Sequence, residues 1–112
     1  MTDSHSIKDK RISTLMIVLI AKYYVKPGNI DAVLAAFAEA VPLVLATEPG
    51  CSRYEVSVST EDPNLVLINE RYADMEAVDV HRGTSHFKEI VQGQIWPLLE
   101  KRVPEFYETV IA

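Results

Sequence analysis

The chain has 112 residues, 48% of them hydrophobic and 24% charged, enough for one domain with a modest core. Sixteen acidic against 11 basic residues give a formal net charge of −5, and the basic residues form no stripe, which argues against binding nucleic acid through its phosphates. A single cysteine, Cys51, excludes an internal disulfide and fits a reducing, cytoplasmic setting.

The first 13 residues are polar and read as an N-terminal tail, with His5 solvated in it; residues 14–112 read as the domain. The stretch "KDKRISTLMIVLIA" imitates a signal peptide, but its apolar run is short, lacks a small-x-small cleavage site and meets Lys22 at once. It is also well below the ~18 apolar residues of a membrane helix. It reads instead as a strand from about Leu15 to Lys26 that is apolar on both faces, so both faces need cover. Pro27 and Gly28 turn the chain, with Asn29 placed to cap a helix.

That helix runs over Ile30 to Ala46, where Ile30, Val33, Leu34, Phe37, Val41 and Val44 repeat at helical spacing. Pro42 inside it removes a backbone hydrogen bond and predicts a kink, and "TEPG" ends the element. "CSRYEVSVS" alternates as a strand, "TEDPN" is a hairpin loop and "LVLINERYA" returns. In that return strand Val66, Ile68, Glu70 and Tyr72 share one face, and Leu65, Leu67, Asn69 and Arg71 the other. Arg53 and Glu55 are expected to pair across neighbouring strands.

Asp74 caps a short helix, "MEAVDVHR", which Gly83 breaks; Thr84 or Ser85 caps a second through "HFKEIVQGQIWPLLEK", and "EFYETVIA" closes as a strand. The order β-α-β-β-α-β is the ferredoxin-like pattern, an α+β fold with a four-stranded antiparallel sheet. Both helices cover one face, so the apolar second face predicts a homodimer with sheet packed on sheet.

No phosphate loop, metal-spaced cysteine pair or Gly-x-Ser-x-Gly motif occurs. His81 and His86 are the histidines outside the tail. At i,i+5 on one helix they diverge by about 140°, which argues against a shared metal. His81 has a bland role at a helix C-terminus and His86 one in the next first turn. A neutral imidazole in an apolar pocket is also a competent proton acceptor near pH 7. Phe37, Tyr72 and Trp96 read most simply as core, and Cys51 as a small buried residue.

"VKPG", "EPGCSRYEV" and "NERYADMEAVDVHRGTSHFKEI" together resemble the antibiotic biosynthesis monooxygenase (ABM) domain, over about residues 15 to 110. The shared shape is an aromatic, an acid, an alanine, a histidine and Thr-x-His-aromatic, here Tyr72, Asp74, Ala77, His81, Thr84, His86 and Phe87. The resemblance implies a dimeric α+β barrel with a cavity between helices and sheet. Its relatives include cofactor-free monooxygenases of phenols and quinols, processors of a small signalling molecule, and haem degraders. The haem branch is disfavoured because its asparagine, tryptophan and iron-ligating histidine correspond to Ala21, Tyr72 and Val91.

The expected function is cofactor-independent oxidation of a phenolic, quinol or polyketide-like aromatic by O₂. His81 is the proposed proton acceptor, with Tyr72 and Asn69 as donors. Phe37, Trp96, His86 and Arg71 are the expected substrate contacts, with no metal, cofactor, nucleic acid or membrane as partner. The alternatives are isomerisation of a small polar carbonyl compound, for which Arg53, Arg71 and Arg82 are candidate phosphate contacts, and a non-catalytic ligand-binding dimer.

Overall fold

A computed structural model of the protein describes residues 15–112; the expected tail, with His5, lies outside the described residues. Four strands form one antiparallel sheet: β1 (Ile17–Val25), β2 (Cys51–Val58), β3 (Leu65–Tyr72) and β4 (Leu99–Glu108), in the order β2-β3-β1-β4. Helix α1 (Ile30–Thr47) connects β1 to β2, and helix α2 (Met75–Gly83) follows β3. A π-helix (Phe87–Ile95) and one 3₁₀ turn (Trp96–Leu98) then lead into β4. This is the ferredoxin-like α+β arrangement expected from the sequence.

The alternation of β1 and β3 fixes which face meets the helices. Ile17, Leu19, Ala21, Tyr23 and Val25 are buried on one side of β1, and Val66, Ile68, Glu70 and Tyr72 on the matching side of β3. Against them α1 packs Val33, Ala36, Phe37, Ala40 and Val44, which recur every three or four residues. By length and composition α1 could cross a membrane, but this stripe is spent on the core. The helix continues through Pro42, and Asn29 makes no side-chain cap bond. The turn before it depends on Gly28, whose φ of 88° favours glycine.

Three expectations for the chain after α1 change. From Phe87 to Ile95 the polypeptide is π-helical rather than α-helical; its exit is marked by the Trp96 backbone N–H bonding the Val91 carbonyl, five residues back. Residues four to five apart then share a face, which brings Phe87, Val91 and Ile95 together in the core. The last strand also begins earlier, at Leu99, because Pro97 closes the helical turn and the backbone bonds of β1 are available from Val25 onward. Finally, Arg53 and Glu55 pair along β2 itself at 3.9 Å rather than across strands, and both are exposed.

Asp74 caps α2 as expected, its carboxylate accepting from the Ala77 N–H at 2.9 Å. Thr84 is the hinge: its Oγ1 donates to the His81 carbonyl at 2.7 Å and accepts from the Phe87 N–H at 3.2 Å. One hydroxyl thereby ends one helix and starts the next, and the chain turns between His81 and His86. At the other end of the connection, a Cβ on Gly50 would stand 2.7 Å from the Ala77 Cβ, so glycine lets the start of β2 pass close under α2.

The second sheet face carries Val18, Ile20, Leu65 and Leu67, half-buried, with Met16 and Tyr107 exposed. Among the described residues no helix covers it.

Candidate active site

Glu48, at the end of α1, reaches under α2 because Gly50 allows the close approach there. Its carboxylate lies 2.9 and 3.0 Å from His81 Nδ1 and 2.5 Å from His86 Nε2. Glu48 is 4% and His81 2% exposed, so neither group has water to fall back on and the pairing satisfies both. Burial pushes the His81 pKa below its ordinary value, outweighing the upward pull of the Glu48 hydrogen bond and charge. His81 is therefore neutral near pH 7, donating its Nδ1–H to Glu48 and leaving Nε2 as the basic nitrogen.

His81 Nε2 looks toward Glu70, whose nearer oxygen is 3.9 Å away. Glu70 comes from the core face of β3 and is 4% exposed; burial drives its pKa up to about 7, while the Tyr72 hydrogen bond and Arg82 oppose the rise. The Tyr72 hydroxyl donates to Glu70 at 2.5 Å, and burial beside that carboxylate holds the phenol well above its usual range. Aromatic rings enclose the imidazole: Tyr54, Tyr72 and Phe87 lie 5.0–5.5 Å from it, centroid to centroid.

His81 and Glu70 open onto a cavity of about 360 Å³ between the sheet and the π-helix. Its apolar wall includes Leu19, Ala21, Phe87, Trp96 and Pro104, and Tyr23, Arg82, Gln92 and Arg102 supply polar groups. Trp96 is fixed there by an edge-to-face contact with Phe87 at 5.8 Å and by donating its indole N–H to the Tyr23 oxygen at 3.1 Å.

The sequence-derived residues divide on this geometry. His81 and Trp96 line the cavity. Tyr72 stands one step behind it, spending its proton on Glu70 rather than on a substrate. Asn69 and Arg71 face the other side of the sheet, opposite Ile20 and Val18, because residues alternate along β3; they are corrected from site to open-face residues. Phe37 packs in the core against Tyr23 at 5.9 Å and borders a separate groove beside α1 and β2. His86 touches Glu48, not the cavity.

Glu48, Glu70, Tyr23, Gln92 and Arg102 carry no role in the sequence reading. Glu48 sat inside a helix-ending "TEPG", and only its meeting with two distant histidines gives it meaning. For Glu70 a signal was present, a lone acid on the apolar face of an otherwise aliphatic strand.

Glu48, His81 and His86 also offer three metal-ligand atoms within 4.8 Å of one another. The spacing argument against this assumed one continuous helix, which Thr84 interrupts. Oxygen–nitrogen separations of 2.5–3.0 Å are hydrogen-bond lengths. Ligands each about 2.0–2.2 Å from a zinc ion would have to spread further apart. The three residues here form a hydrogen-bonded cluster.

Residues 16–93 match the family described as antibiotic biosynthesis monooxygenase. The chain belongs to this family. Within the ABM family, it is 32% identical over 90 residues to a Mycobacterium tuberculosis protein named "Putative monooxygenase Rv0793", covering 80% of this chain and 86% of that one. Among solved structures, a Caulobacter crescentus protein described as a "putative antibiotic biosynthesis monooxygenase" superposes with a TM-score of 0.82 at 26% identity, covering 94% of this chain and 99% of that one. Protein SO0527 of Shewanella oneidensis gives a TM-score of 0.80 at 32% identity, covering 88% of this chain and 95% of that one. This ABM chain is thus similar along most of its length to two proteins named as putative monooxygenases and to a third whose name states no activity.

Proposed function

We propose that this protein is a cofactor-independent monooxygenase that oxidises a phenol or quinol with O₂ inside the 360 Å³ cavity. The observation that carries this reading is the arrangement of His81: buried, held at Nδ1 by Glu48, and presenting Nε2 to an aromatic-walled space. His81 Nε2 takes the hydroxyl proton, and the resulting electron-rich anion passes an electron to O₂. The two radicals combine to a peroxide at a ring carbon, and Nε2–H returns its proton to the outer oxygen; that carbon then gives up its own hydrogen as a proton, the C=O forms, the O–O bond breaks, and the departing hydroxide leaves with that proton as water. The balance is phenol plus O₂ to quinone plus water, and the imidazole ends as it began. The exposed apolar sheet face belongs to the same reading: a second copy of the chain covers it, in the cytoplasm.

The test is oxygen uptake by the metal-free protein with a panel of quinols and polycyclic phenols, set against autoxidation. His81→Ala is expected to lower the enzyme-dependent rate about a hundredfold or more. Uptake no faster than autoxidation across the panel, or an unimpaired variant, would refute the reading.

One observation favours a second reading. Glu70 and His81 put two proton-transfer groups 3.9 Å apart on one cavity, as needed to move a proton between adjacent carbons of a small carbonyl compound. That reaction would run under nitrogen, which separates the two.

A further inference from the structure

The end of the cavity away from Glu70 carries a cation, Arg102. In the sheet register Arg102 of β4 lies opposite Tyr23 of β1, on the cavity side. Its guanidinium sits over the Trp96 ring, 3.6 Å from the centroid, and Trp96 is itself held by Phe87 and Tyr23. Arg82, from the last turn of α2, lines the same cavity at its other end: it lies 5.4 Å from the ring centroid of Phe106, which pairs with Leu19 as Glu70 does, and its charge opposes the rise of the Glu70 pKa. Among the described residues neither arginine forms an ion pair, although the chain carries 16 acidic groups. Arg102, a cation that faces the cavity with no acid at its own end, calls for an anion there.

We propose that the cavity takes a planar hydroxyaromatic acid, its carboxylate held by Arg102 and its reacting hydroxyl set against His81. The proposal rests on the oxidation reading for the reacting end and adds the recognition of the other. The walls between the two ends, Leu19, Ala21, Phe87 and Trp96, are apolar or aromatic and suit a flat ring system. Tyr23 accepts from Trp96 and keeps its own proton to donate, because burial raises its pKa to about 12. A volume of 360 Å³ is near the lower end of small-molecule sites and matches one or two rings rather than four.

The test is calorimetric titration under nitrogen with 6-hydroxy-2-naphthoate, 2-naphthol and dihydroxyacetone phosphate. The naphthoate is expected to bind about tenfold tighter than the naphthol at low salt, since exposed ion pairs are individually modest. Added salt should narrow the gap, Arg102→Gln, alone or with Arg82→Gln, should abolish it, and Arg102→Lys should keep part of it. Both arginines are exposed, so an unchanged thermal midpoint in the double variant confirms that it folds. Equal binding of the two naphthalenes, no binding of either, or a preference that survives the double substitution overturns the proposal. Tighter binding of the phosphorylated ketone overturns it in favour of a small phosphorylated carbonyl. Binding is measured without oxygen, so the outcomes stay distinct: selective binding without oxygen uptake sinks only the oxidation, and uptake with the naphthol preferred sinks only the acid recognition.

Discussion

An imidazole serves as a base only through the nitrogen that lacks a proton, and in this protein Glu48 determines which nitrogen that is. Glu48→Gln removes the charge that stabilises the imidazolium formed on proton transfer. Turnover is expected to fall about 10- to 100-fold. The acid limb of the kcat/KM profile should also move to lower pH, because Glu48 raises the proton affinity of His81. A profile that keeps its position would show that Glu48 does not act through His81. Glu70 allows a second test at this scale, by stability. Its folded pKa, about 7, lies above the ordinary 4.5, so the folded state holds a proton that the unfolded state has lost between those values. Its contribution is full below pH 4.5 and is lost as pH rises through 7. His81, with a lowered pKa, works in the opposite sense: its contribution is present above 6.5 and is lost as pH falls. The thermal midpoint of Glu70→Gln minus that of the wild type should therefore climb between pH 5 and 7.5 and then level off. A flat difference would place an ordinary carboxylate at this position.

At the scale of elements, two small residues bring the cluster together. Gly50→Ala forces a Cβ into 2.7 Å contact with Ala77, which should cost about 1–3 kcal/mol in denaturant unfolding. Because Gly50 follows Glu48 by two residues, activity should fall more than stability alone requires. Thr84→Ala removes the hydroxyl shared by α2 and the π-helix and should cost about 1 kcal/mol. These elements were unevenly legible in the sequence. The strands, α1 and the Asp74 cap follow from alternation, helical spacing and a residue type with one strong local preference. The π-helix does not, since its apolar positions at 87, 90, 91 and 95 also satisfy an α-helix. Alternation likewise tells Asn69 from Glu70 by face but not which face carries the cavity. Glu48 and Arg102, joined to the site across long stretches of chain, have no local pattern to reveal them.

At the scale of the whole molecule, the uncovered sheet face carries the clearest demand. Val18, Ile20, Leu65 and Leu67 form an apolar centre, and beside them the Arg71 Nε is buried without a hydrogen-bond partner among the described residues. In the proposed dimer a second sheet would supply what both lack, and the expected state in sedimentation is a dimer. Leu67→Lys, which leaves the helix-facing core alone, should shift the equilibrium toward monomer. A wild-type monomer at micromolar concentration would remove the second copy from the proposal.

The lone cysteine gives the same fold a clock. Cys51 lies 6% exposed at the start of β2, its thiol donating to the Arg53 carbonyl at 3.3 Å, and burial pushes its pKa up to about 11. A thiol reagent should find little to react with until the end of the sheet beside Glu48 parts and the sulfur meets water. Each labelled molecule would then record one opening of the scaffold under the base, and a ligand that closes the cavity should slow the count.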